Sequence, residues 1–96
     1  MAKIHKLSYT TANLKNFGIA LQYVTPKQME KLLGEPNYKR NDYLCTLHET
    51  IEYDTNKLIP FRLEHCYISS YCIGYIIHTT NADNARHIKN ILENMF

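Results

Sequence analysis

The sequence predicts an α+β domain: an antiparallel sheet of about five strands, in the order β-β-α-β-β-β-α, with two helices packed on one face. Three observations predict it. Period-two alternation runs through 43–53, 58–67 and 71–79, with turn-forming residues between these stretches. A Thr-capped, Pro-initiated helix signal precedes them, and an amphipathic stripe closes the chain.

The elements follow in order. Residues 3–10 read as a short, irregular strand with neither face purely apolar, and 10–16 as a connection. Phe17, Ile19, Leu21 and Tyr23 then alternate with Gly18, Ala20, Gln22 and Val24, which predicts a strand with one large apolar face. A helix over 14–21 is the competitor, and Gly18 with the β-branched and aromatic residues favours the strand. Thr25 is an N-cap, Pro26 suits the first helical position and Gln28 completes a capping box. Met29, Leu32 and Leu33 form a stripe at helical spacing, Gly34 offers a left-handed C-cap and Pro36 blocks continuation, so a helix is expected over 26–33.

Residues 37–42 read as a polar loop carrying Lys39 and Arg40. Along the next strand Tyr43, Cys45, Leu47, Ile51 and Tyr53 face one way, interrupted by Glu49. Asp54-Thr55-Asn56-Lys57 is turn chemistry. Ile59, Phe61, Leu63, His65 and Tyr67 then share a face, with Pro60 suited to a strand start or an edge. Ser69-Ser70 marks a second turn, and 71–79 is apolar on both sides, as a central strand is. Asn81 caps the last helix, Asp83 favours its positive end, and Ala85, Ile88, Ile91, Leu92 and Met95 make its stripe.

Composition bounds the function. Ninety-six residues form one domain, expected to span 1–96, with a core thin enough that self-association is expected. The net charge of +2 is too weak to point to nucleic acid by itself. The longest apolar run, Cys72 to Ile77, is far below the ~20 residues of a membrane span. The first residues, Met1-Ala2-Lys3-Ile4-His5-Lys6, contain no apolar signal-peptide core, and the three Cys include no recurring close pair. A cytoplasmic protein with reduced thiols is the expectation. The abundance of Asn, Lys, Ile and Tyr hints at an AT-rich coding genome.

The titratable and nucleophilic residues offer several candidate constellations. Cys45, His48, His65, Cys66 and Cys72 invite a zinc reading. In strands, however, Cys45 and His48 point to opposite faces, as do His65 and Cys66, so four ligands do not converge. Cys72 with His78 or His65 would be a nucleophile pair, but the Cys residues fall inside predicted strands, where burial as small hydrophobes is the plainer account. Glu49, Glu52 and Glu64 fall on neighbouring strands and could face one another, or else line a solvated rim with Lys57 and Arg62. The chain has only three Gly and no phosphate-cradling loop. These readings predict no catalytic residues, no metal and no cofactor.

Eight Tyr and no Trp is the unusual feature. Tyr67 and Tyr71, with Tyr75, cluster around the second turn beside Ser69 and Ser70, the composition of an adaptable binding loop. Lys39, Arg40 and Arg62 would add charge to such a surface. These five residues, Lys39, Arg40, Arg62, Tyr67 and Tyr71, are the candidate binding residues.

From Thr25 onward the order α-β-β-β-α resembles the double-stranded-RNA-binding domain in topology. That resemblance implies an RNA- or DNA-binding module whose last helix begins with a basic cluster. The matching stretch here, Asn81 to His87, carries Asp83 and a single Arg. A second resemblance is carried by Leu32-Leu33-Gly34-Glu35-Pro36-Asn37, preceded by a strand and a Thr-capped helix, and followed by a hairpin from Asp42-Tyr43, a further strand and a C-terminal helix. Over 17–95 the chain resembles a group of small phage-encoded accessory proteins of unassigned activity. It departs from them in lacking Trp and in using Asp54-Thr55-Asn56-Lys57 where the group has a Gly-containing turn. The resemblance implies a viral accessory protein in the host cytoplasm. The functional expectation is a non-enzymatic anti-defence inhibitor. Its partner would be a host defence protein, as for a CRISPR inhibitor, or a nucleotide immune signal. A nucleic-acid-binding module is the alternative.

Overall fold

The structure is a computed structural model that describes residues 3–7, 12–36, 38–39, 47–55, 58–66 and 74–96. The strands are β1 (Ile4–Lys6), β2 (Lys15–Gln22), β3 (Tyr38–Lys39), β4 (Leu47–Thr55), β5 (Pro60–Cys66) and β6 (Gly74–Thr79). The helices are α1 (Pro26–Leu33) and α2 (Ala82–Glu93). The α+β class is as expected. The strand count differs: among the described residues six strands pair antiparallel in the order β1-β4-β5-β6-β2, with β3 beside β4.

The sheet is built around the meander β4–β5–β6. Tyr53 registers with Phe61, and Leu63 with Ile77. Period two then sends Phe61, Leu63 and His65 of β5 and Tyr75, Ile77 and Thr79 of β6 to one buried face. Met29 of α1 and Ala85, Ile88 and Leu92 of α2 join them in a single core with Leu21 and Val24. The Thr79 hydroxyl donates to the Pro60 carbonyl at 2.9 Å, and the His65 ring lies 5.0 Å from that of Tyr75. Pro60 opens β5, where its missing N–H matters least.

Helix α1 matches the expectation residue for residue. The Thr25 hydroxyl accepts from the Gln28 N–H at 3.2 Å, and the Gln28 side chain accepts from the Thr25 N–H at 2.9 Å. Thr25→Ala is therefore expected to destabilise the fold by about 1 kcal/mol in a urea melt. A change below ~0.3 kcal/mol would show that the cap is not stabilising α1. Gly34 has the expected positive φ of 86°, but its ψ of −169° is extended, so the helix ends without the left-handed helical cap. Asn81 caps α2 by accepting from the Asn84 N–H at 2.8 Å. The helix stops at Glu93, which leaves Met95 of the expected stripe outside it and exposed.

Several expectations are corrected. Tyr38 and Lys39 form a two-residue strand instead of loop, opposite Thr50 and Glu49. Asp54 and Thr55 continue β4 instead of turning, because β1 pairs there: His5 with Asp54 and Ile4 with Thr55. Leu58 and Ile59 precede β5, and Leu58 has φ +60°.

The largest difference is in β2. Between the pairs Asn16/His78 and Ala20/Ile76, β2 has Phe17, Gly18 and Ile19 where β6 has Ile77 alone. The Asn16 side chain accepts from the Gly18 N–H at 2.8 Å, and Gly18 takes φ +75°. This bulge breaks the alternation, so Phe17 is exposed. Tyr23 leaves the strand with φ +62°, which turns its ring outward and lets Val24 enter the core. Of the four expected apolar residues, only Leu21 is fully buried, with Ile19 packed against the core.

Candidate functional site

The meander's other face points away from the core, and register assigns its residues. The central row is Glu52–Arg62–His78–Asn16. Beside it run Tyr38–Thr50–Glu64–Ile76–Ala20 on one side and His5–Asp54–Pro60 on the other. Arg62 and Glu64 belong here because they alternate with the buried Phe61, Leu63 and His65 on β5.

One link crosses this face on the diagonal. His78 Nε2 lies 3.2 Å from Glu64 Oε1, and both side chains are mostly shielded. An imidazole and a carboxylate so placed hold each other in one rotamer on a hydrogen-bonded sheet, so the face presents its groups in fixed positions. One carboxylate oxygen of Asp54 is buried without a hydrogen-bond partner among the described residues. By residue type the face carries three carboxyl positions, Glu52, Asp54 and Glu64, against one guanidinium, Arg62.

Of the five expected binding residues, Arg62 is placed at the centre of this face, half-buried. Lys39 lies in β3 opposite Glu49, one residue out of phase with the Tyr38–Thr50 pair. Lys39 and Arg62 thus hold register positions of opposite parity. Arg40, Tyr67 and Tyr71 lie outside the described residues.

Of the three acidic residues considered, Glu52 and Glu64 hold register positions of the same parity. Glu64 registers with Thr50, and Glu52 with Arg62, while Glu49 is out of phase with both. His78 is engaged by Glu64, and His65 is in the core. Neither Cys–His pairing weighed from the sequence can be drawn, because Cys72 lies outside the described residues. No grouping of three or more His, Cys, Asp or Glu suited to a metal occurs among the described residues. Among the described residues no helix is long and apolar enough to cross a membrane. At the start of α2, where the RNA-binding resemblance implies a basic cluster, Arg86 is held by the Asp83 carboxylate one turn away.

The Glu64–His78 link was missed in the sequence because its partners are diagonal across two strands. Parity alone puts both outward, but only the register brings them together. Comparison with protein-family models, with curated proteins and with solved structures finds no match for this chain.

Proposed function

We propose that this chain is a non-enzymatic phage accessory protein that neutralises a host defence protein by stoichiometric occlusion, as a CRISPR inhibitor does. The resemblance of the Leu32–Asn37 stretch to small phage accessory proteins supports the viral setting. The observation that carries the mode of action is the outward face around Arg62. It is a sheet surface backed by a packed core, with the Glu64–His78 link setting its side chains in place. Such a face binds without first ordering itself, which favours affinity per unit of contact area.

Its charge favours a protein partner over a nucleotide signal. A phosphate brought to Arg62 also meets Glu64 and Asp54 on the same face, and each adds repulsion. An Arg or Lys of a partner protein meets attraction instead. The test is phage plating on a host whose CRISPR effector targets that phage. Expression of this chain is expected to restore plating at least about tenfold, and Glu64→Lys, which reverses the charge offered to the partner's cation, to abolish the restoration while circular dichroism stays unchanged. Restoration confined to a host defended through a nucleotide signal, or none in either host, would overturn the proposal.

A further inference from the structure

We infer that the free edge of β2 is a self-association surface, on which a second copy of this chain adds its own β2 antiparallel to form a symmetric dimer. β2 ends the sheet, with β6 as its one strand neighbour among the described residues. The Asn16–Gly18 turn already satisfies the Gly18 N–H, which confines the open edge to residues 19–22. An unpaired edge strand is a template for another strand, and natural proteins usually protect it with charge. Here β2 carries one charged residue, Lys15, at its far end, so nothing in 19–22 repels a copy of itself.

The side chains flanking that edge point the same way. Phe17 on β2 is 36% exposed, and Tyr23 immediately after it is 81% exposed. Met95 and Phe96, also exposed, follow α2, which packs across β2 and β6. Tyr23 is the most telling. A left-handed backbone suits Gly, Asn or Asp, and a bulky residue there is disfavoured. The ring adds nothing to the chain's own core, so neither conformation nor burial within one molecule accounts for a tyrosine at this position. Contact with another surface does.

The area is of the right order. Four such side chains offer roughly half of the ~800 Å² that each partner buries in a standard interface, and paired edge backbone contributes much of the rest. A two-fold axis across β2 makes the patch complementary to itself, and the weak net charge of +2 opposes this little.

Sedimentation velocity over a concentration series up to about 100 µM tests the inference, since a Kd in the micromolar range is then saturated. The wild type is expected at twice the 11.3 kDa chain mass. Phe17→Asp with Tyr23→Asp is expected to weaken dimerisation at least tenfold. Asp accepts the left-handed backbone at position 23, so this variant keeps its fold. Leu58, the other exposed non-glycine residue with positive φ among the described residues, precedes β5 and serves as control. Leu58→Asn should leave the dimer intact. Amide exchange in 19–22 should be slower in the dimer than in the double variant. A wild type monomeric throughout, a dimer indifferent to the double variant, a dimer lost in Leu58→Asn, or unchanged exchange at 19–22 would each overturn the inference.

Discussion

Replacing Gly74 with alanine is expected to destabilise the protein by about 3 kcal/mol or more, or to prevent folding. A Cβ at this position would lie 2.0 Å from the Leu21 carbonyl oxygen and 3.1 Å from its carbon. Both belong to the backbone of β2, so no side chain can swing aside. The contact is relieved only by moving β2 away from β6, which breaks the pairs Gln22–Gly74 and Leu21–Tyr75 and pulls Leu21 from the core. Gly18→Ala provides the contrast. Nothing lies within 4 Å of a Cβ there, and only the positive φ opposes the change, at about 1 kcal/mol. Urea melts of the two variants should therefore differ clearly. A Gly74→Ala midpoint equal to that of the wild type would mean that β2 does not approach β6 as described.

Phe61→Ala is expected to remove about 3–5 kcal/mol, a large fraction of the 5–15 kcal/mol typical of a small domain. Phe61 is fully buried on β5, in register with Tyr53 of β4, and belongs to the cluster shared by both helices. Its removal leaves a void bounded by hydrogen-bonded strands that cannot collapse into it. Phe17→Ala, at a half-open site on the β2 bulge, should stay within about 0.5 kcal/mol. Thermal or chemical melts that rank the two variants the other way would contradict the assignment of the core face.

The elements legible in the sequence are those whose causes are local. Helix α1 could be read to the residue because Thr25, Pro26 and Gln28 act within one turn of chain. The face of β5 was legible because Phe61, Leu63 and His65 alternate without interruption. The β2 face was not, because Asn16 and Gly18 insert a bulge whose position depends on pairing with β6, far along the chain. Two-residue β3 has no period to detect, and Asp54-Thr55 reads as a turn until β1 supplies its partner. The candidate site follows the same division. Arg62 is a candidate by residue type alone, whereas its register neighbours Glu52 and His78, and the link between Glu64 and His78, depend on pairing between strands.

The sheet order also sets a timetable for synthesis. β1 and β2 leave the ribosome first, yet Ile4 needs Thr55 and Leu21 needs Tyr75. The meander β4–β5–β6, by contrast, is made of neighbours in sequence and closes through short connections. β1 thus has no neighbour until β4 has emerged, and β2 waits longer still, for β6. During translation it is the amino-terminal segment, not the nascent end, that stays longest without its native hydrogen bonds.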